Sequence, residues 1–289
     1  MRIKMTTKLK IGIIGGGFVG GATALLSSET VETIIYDLDP KRCKPEGTTF
    51  EDILQTEGVF IAVPTPITIT DTNYGKCNTK IVDSVIKQLI ESNYKGYIIV
   101  RSTVPVGYCD SHQSKNIHFM PEFLTEKNWA EDFINCKLWV FGVSPFCSSD
   151  DANVTQKWFQ NVLNESSVKH KECKFMSTKE GEMIKYFRNC FLAVKVSFCN
   201  EMYRFAEAHG IQYETIRSIA CTDDRIGHSH SFVPGHDGHY GFGLSCLSKD
   251  PASVEYQMNQ LGLRCEIISS ALRRNNEVDR PEKDWLKYA

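Results

Sequence analysis

The sequence predicts an α/β protein in two parts, a doubly wound parallel sheet followed by an all-α domain built on one long helix. Two observations carry this reading. From Lys10 onward the short β-rich runs IGIIG, ETIIYD, GVFIAVP, YIIVRST and LWVFGV alternate with helical stretches such as TKIVDSVIKQLIES, as parallel βαβ units require. After Met176 the β signal stops, and STKEGEMIKYFRNCFLAVKVSFCNEMYRFAEAHG runs apolar at helical spacing. The expected domains are residues 1–176 and 177–289.

The first strand runs straight into GGGFVG, in which Gly15, Gly17 and Gly20 stand at GxGxxG spacing around Phe18 and Val19. The three glycines have separate tasks: a tight turn, close approach of backbone to a pyrophosphate, and packing of helix on strand. The second strand ends at Asp37, about twenty residues further on, where an acid can bond a ribose 2′-hydroxyl. Together these make the domain Rossmann-type and its cofactor a dinucleotide. Asp37 would repel a 2′-phosphate, which favours NAD over NADP, while the nearby Arg42 pulls the other way.

The long helix opens on a capping box, Ser177 with Glu180, and is expected to close on a C-terminal glycine, Gly210. QYETIRSIACTD reads as a second helix. After a loop rich in His, Gly and Pro, Asp250 as N-cap and Pro251 at the first helical position predict a third.

Composition bounds the function. The chain has 289 residues, 42% hydrophobic and 24% charged, with a net charge of -2 and no long basic run, so neither nucleic acid nor an anionic membrane is an expected partner. No apolar run reaches membrane-spanning length, and MRIKMTTKLK is too polar for a signal peptide. The 11 cysteines are odd in number, scattered and without a CxxC pair, which points to a reducing, cytoplasmic setting rather than a disulfide framework or a zinc knuckle. His228, His230, His236 and His239 crowd one loop, but their spacing fits no known ligand pattern; a substrate-covering loop is the preferred reading, and no metal is expected.

GFGLSCLSKD sets Cys246 in a glycine-rich turn, with Lys249 and Asp250 behind it. A thiol there can act as a nucleophile if its surroundings make it a thiolate, or it can simply pack as a small hydrophobe.

With these blocks in view, the chain resembles the UDP-glucose/GDP-mannose dehydrogenase family. GGGFVG, AVPTP, STVPVG, PEFLTE and EMIKYFRN leading to GFGLSCLSKD occur in the family's order, over nearly the whole chain but only the first two of the family's three domains. The resemblance implies an NAD-dependent four-electron oxidation of a nucleotide sugar at C6, with UDP-glucose going to UDP-glucuronate. It makes Cys246 the nucleophile of a thiohemiacetal and thioester. Lys185 and Asn189, at i and i+4, become the groups that stabilise the oxyanion. Thr103 and Asp250 would hold a water and Glu126 would be the base for hydrolysis. Pro64, Thr65, Ser102 and Thr103 would line the cofactor. Glu122, Phe123, Leu124, Glu126, Gly241 and Gly243 would join Lys185 and Asn189 around the sugar. Arg225 would reach the substrate of a neighbouring subunit, which implies a homodimer through the helical domain.

Without the resemblance, Thr103 could merely end a strand, Asp250 merely cap a helix, and Glu122 and Glu126 form a solvated pair. The chain also departs from the family. The segment between Asp37 and AVPTP is short, Leu244 replaces a glycine, Ser248 replaces a common proline, and the chain stops about where the third domain would begin. If position 244 needed a positive φ, the leucine would strain it. Two further readings therefore stand beside the first: a single-step β-hydroxyacid-type dehydrogenase, and a non-catalytic or partner-dependent NAD-binding module.

Overall fold

The computed structural model describes residues 8–70, 74–125 and 127–288, with backbone alone for 244–246 and 287–288. Among these residues the chain forms two compact units: Met1–Thr65 with Thr79–Lys185, and Pro66–Asn78 with Tyr186–Ala289.

The first unit is built on a seven-stranded sheet of β1 (Leu9–Ile14), β2 (Val31–Tyr36), β3 (Gly58–Ile61), β4 (Tyr97–Val100), β5 (Ile117–Phe119), β6 (Trp139–Val143) and β7 (Cys173–Ser177), ordered β2-β1-β3-β4-β5-β6-β7. Neighbouring residues of one strand serve opposite faces. Ile11, Ile13, Phe60 and Ile99 pack under α1 (Phe18–Thr23), α5 (Trp129–Ile134) and α6 (Ser149–Glu165). Ile14, Val59, Ile61, Ile98 and Val100 pack under α2 (Phe50–Ile53) and α3 (Lys80–Glu91). Strands covered on both faces read as continuous apolar runs, which is why they stood out in the sequence.

The sheet is mainly parallel, as the sequence predicts, with one exception. β5 pairs antiparallel with β6, while β6 and β7 run parallel to each other. Neither IHF of β5 nor CKFMS of β7 was foreseen: one is too short to show a period and the other is interrupted by polar residues.

The long helix α7 (Thr178–Ala208) opens as expected. Ser177 N–H donates to Glu180 Oε2 at 2.7 Å, and Glu180 N–H donates to Ser177 Oγ at 3.3 Å. It closes on Gly210 at φ +66°, with Ile211 N–H returning to the Ala206 carbonyl at 2.9 Å. The boundary between the units falls inside this helix, after Lys185, rather than at 176 and 177. The physical reason is that its first turns pack on the sheet: a side chain on Gly181 would press on Phe119, and Glu182 bonds to the segment after β4.

In the second unit α7 continues beside α8 (Tyr213–Ala220), α9 (Leu244–Gln260) and α10 (Glu266–Arg274). Its core joins Ile67, Ala193, Phe242, Ala252 and Leu272, so the excursion Pro66–Asn78 belongs here despite its place in the sequence.

The third predicted helix start is overturned. Helix α9 begins at Leu244 after Gly243, so Asp250 is not its N-cap and Pro251 lies inside it. The signal misled because a helix already under way tolerates a proline by leaving one carbonyl unbonded. Leu244 is an ordinary first helical residue, and the strain expected of a positive φ does not arise.

Candidate active site

The glycine turn between β1 and α1 behaves as a cradle. Gly15 has φ +104°, and a Cβ on it would run into the Ala62 carbonyl; a Cβ on Gly20 would run into that of Gly15. Around Gly17, the N-cap of α1, nothing lies within 4 Å, so this turn leaves room for a pyrophosphate at a helix N-terminus that begins with Phe18 and Val19. Asp37 follows the last residue of β2. It receives Gly16 N–H on Oδ2 at 2.6 Å and Asp39 N–H on Oδ1 at 2.8 Å, which sets the acid beside the turn. The side chain of Arg42 is exposed and leans on Asp39 at 3.5 Å.

The two loops expected to line the cofactor are tied together. Ser102 Oγ donates to the Val63 carbonyl at 2.7 Å and accepts Val63 N–H at 2.9 Å. This joins the segment holding Pro64 and Thr65 to the one holding Thr103; Pro64 is exposed, Thr65 buried and Thr103 half-buried. Thr103 lies beyond the last residue of β4 rather than ending the strand.

Glu122 and Lys185 meet. Lys185 Nζ donates to Glu122 Oε2 at 2.8 Å and to the Glu122 carbonyl at 2.7 Å, and the two side chains are only 6% and 4% exposed. Leu124 N–H donates to Glu122 Oε1. Burial pushes the Glu122 carboxyl up, but Lys185, Arg101 and the Leu124 N–H outweigh it and hold the group below its ordinary value. A solvated surface glutamate is thereby excluded. Phe123 and Leu124 are half-buried, and Glu126 lies outside the described residues.

One turn beyond Lys185 on the same helix, Asn189 Nδ2 donates to Asp250 Oδ2 at 2.6 Å. Asp250 is fully buried with Lys249 Nζ at 3.5 Å from Oδ1, an oxygen that accepts no hydrogen bond among the described residues. An unsatisfied carboxylate oxygen in that position has the capacity to hold a water.

Cys246 is the third residue of α9, and its side chain lies outside the description. The turn before it is held by three groups. Gly241 N–H donates to Asn200 Oδ1 at 3.0 Å. Asn275 accepts Phe242 N–H at 2.7 Å and returns Nδ2–H to its carbonyl at 2.9 Å. The guanidinium of Arg280 fills the space a side chain on Gly243 would need. Gly241 and Gly243 are thus required by close packing, and Gly241 also by φ +66°. Arg280 is 2% exposed and bonded to Asp237 at 2.7 Å and to Asp284 at 2.6 and 2.8 Å. Arg225 is exposed and paired with Asp223 at 2.5 Å. Among the described residues no group of three or more His, Cys, Asp or Glu side chains is placed to hold a metal ion.

The sequence reading missed Glu182, Asn200, Asn275, Arg280 and Arg101. Glu182 is fully buried and accepts Gly107 N–H at 2.5 Å and Cys109 N–H at 2.9 Å, fastening the STVPVG segment to α7. Its position three residues before Lys185 was the available signal.

The sheet, the open glycine cradle with its acid, and the buried Lys185–Glu122 pair define a dinucleotide-binding dehydrogenase. Residues 46–161 match the UDP-glucose/GDP-mannose dehydrogenase family, NAD binding domain, and residues 179–277 match its central domain. The chain belongs to this family. It is 28% identical to UDP-glucose 6-dehydrogenase of Streptococcus pneumoniae over 97% of this chain and 75% of that protein. YtcA of Bacillus subtilis is 31% identical over 93% of this chain and 68% of its own length. Other curated relatives are spanned over 52% to 66% of theirs. Among solved structures, a UDP-glucose dehydrogenase from the hyperthermophilic archaeon Pyrobaculum islandicum shares the fold with a TM-score of 0.78 at 23% identity, over 96% of this chain and 70% of that one. No helix among the described residues is long and apolar enough to cross a membrane.

Proposed function

We propose that the protein oxidises C6 of a nucleotide sugar, UDP-glucose, to the uronate in two successive steps. The buried Lys185–Glu122 pair carries this reading: a lysine 3% exposed and fixed by two acceptors is placed to serve chemistry rather than solubility. NAD, when bound, accepts the hydride lost from carbon at each step. Lys185 and Asn189 stabilise the alkoxide as the alcohol becomes an aldehyde. The Cys246 thiolate then adds to the aldehyde carbon, and loss of the second hydride leaves a thioester on sulfur. A water held by Asp250 and Thr103, deprotonated by Glu126, adds to the thioester and expels the thiolate, giving the carboxylate. The cysteine tether keeps the aldehyde from leaving between steps.

The same reading includes a homodimer through α7. Phe187, Phe191, Phe198 and Phe205 are 71%, 59%, 62% and 59% exposed, and their spacing of four, seven and seven residues sets them on one face of the helix. Arg225 is exposed and would exchange Asp223 for a neighbouring subunit's substrate. Cytoplasmic residence agrees with the cysteines from Cys43 to Cys265, none of which forms a disulfide among the described residues.

The test is NADH yield per nucleotide sugar, with UDP-glucose, GDP-mannose and UDP-N-acetyl sugars as substrates. Two NADH per UDP-glucose, and loss of the overall reaction in Cys246→Ala, are expected. One NADH per substrate, insensitive to Cys246, would point instead to a single-step dehydrogenase. Bound NAD without turnover on any sugar would leave a non-catalytic module.

A further inference from the structure

The C-terminal segment of the second unit returns to the glycine turn that leads into α9. Arg280 is 2% exposed, and two edges of its guanidinium meet carboxylates. Nε and Nη2 donate to the two oxygens of Asp284 at 2.6 and 2.8 Å, and Nη1 donates to Asp237 Oδ2 at 2.7 Å. Its face lies against the backbone of Gly243, where an added Cβ would collide with Cζ, Nη1 and Nη2. The backbone of Arg280 is fixed as well: its N–H donates at 2.8 Å to the carbonyl of Asn275, the residue whose side chain holds Phe242. Asp237 belongs to the histidine-rich loop. Its Oδ1 accepts His239 N–H at 3.1 Å and Gly235 N–H reaches the His239 carbonyl at 2.8 Å, so the carboxylate shapes the turn 235–239 and joins it to Arg280. At the surface His239 Nδ1 lies 3.5 Å from Glu282 Oε1, a second tie between the same two segments. One buried guanidinium therefore fixes three pieces of chain at a single point: the loop, the C-terminal segment, and the turn that Cys246 follows by three residues. Taking two carboxylates and a guanidinium out of water is costly beside an apolar contact of similar volume; what the fork supplies is fixed geometry.

We infer that Arg280 is a positioning residue for the cysteine step: by locking the histidine-rich loop and the turn 241–243 into one rigid frame, it holds Cys246 where the aldehyde is captured. The inference rests on the two-step oxidation proposed above. In that scheme the first oxidation takes a hydride and a proton from the alcohol and does not use the thiol, whereas the second begins only when sulfur bonds to the aldehyde carbon. A turn displaced by about 1 Å should leave the first step nearly intact and slow capture about a hundredfold. The aldehyde then leaves before sulfur reaches it.

The experiment compares the full chain with Arg280→Lys, with Arg280→Ala in the absence and presence of methylguanidinium, and with Asp237→Asn. Lysine keeps the charge but lacks the fork and the flat face. Each protein receives UDP-glucose and NAD together with an alkoxyamine, which condenses with free aldehyde to an oxime and water. The unmodified chain should yield two NADH per sugar and no oxime. Arg280→Lys and Arg280→Ala should form the first NADH within about twofold of the normal rate, fall toward one NADH per sugar and release oxime. Methylguanidinium should reverse this in Arg280→Ala. Asp237→Asn, which leaves the pair with Asp284 in place, should release less oxime. Variants that keep two NADH without oxime, or that lose the first NADH as strongly as the second, overturn the inference. If neither Arg280 variant folds, Asp237→Asn decides by the same criterion.

A second readout does not depend on turnover. Alkylation of the thiols, followed by peptide mass spectrometry, should run about tenfold faster at Cys246 in Arg280→Lys, while Cys190 and Cys265, buried in the same unit, keep their rates. A uniform rise at all three, or none at Cys246, overturns the inference. If the unmodified chain oxidises no nucleotide sugar and Cys246 alone responds, the functional reading falls and the hold of Arg280 on the turn stands; two-step turnover with an unaltered Cys246 rate gives the reverse.

Discussion

Glu122→Gln tests the buried pair at the centre of the first unit. The change keeps the size of the side chain and removes its charge, so Lys185 is left buried without its anion. Both members of the Lys185–Glu122 pair are less than a tenth exposed, and breaking such a pair from one side costs about 3–5 kcal/mol, against less than about 1 kcal/mol for a surface pair. At about 2–4 °C per kcal/mol the melting temperature should drop by roughly 10 °C. The pH dependence fixes the sign. Folded Glu122 ionises below its ordinary 4.5, so its contribution is present above pH 4.5 and is lost as pH falls through the folded value. The advantage of the unmodified chain over Glu122→Gln should therefore shrink below pH 4.5. Urea unfolding of Glu122→Gln, Lys185→Met and the double variant closes a thermodynamic cycle. The double variant should recover part of the loss, because it leaves neither charge buried without its partner. A single-variant loss under about 1 kcal/mol, or a double variant whose loss is the sum of the singles, would refute the reasoning.

Gly15→Ala places a Cβ against the Ala62 carbonyl at a positive φ; about 1–3 kcal/mol of strain and loss of NAD binding by calorimetry are expected. Arg280→Met should cost about 3 kcal/mol in urea by stranding Asp237 and Asp284, and Gly243→Ala should be milder in that background because the guanidinium it collides with is gone. His118 is buried with its pKa pushed down to about 4, so the unfolded chain binds its proton first as pH falls; stability should decline between about pH 6.5 and 4 by on the order of 3 kcal/mol, and His118→Leu should flatten that slope in pH-dependent unfolding. Phe191→Asp with Phe198→Asp should give a monomer in analytical ultracentrifugation if α7 is the dimer face.

Local chemistry was easy to read from the chain. The capping box of Ser177 and Glu180, the left-handed Gly210 and the glycine turn at Gly15 each depend on residues within a few positions, and each stands as expected. Where several local signals competed, the strongest one misled. Asp250-Pro251 has the composition of a helix start, yet the helix begins at Leu244 because the turn before it is fixed by Asn200, Asn275 and Arg280, none of them near in sequence. The short β5 and the polar β7 were lost for the opposite reason, having no pattern of their own and being strands only by pairing with β4 and β6.

The sequence by itself determined five of the seven strands, the long helix, the glycine turn and the residue types of the site, because these follow from steric preference and periodicity along the chain. Only the tertiary structure decided which charges are buried and what they face. Glu122 could have been a surface acid and Lys185 a surface base, and their character as a buried pair comes from desolvation at one point, which no spacing in the sequence encodes.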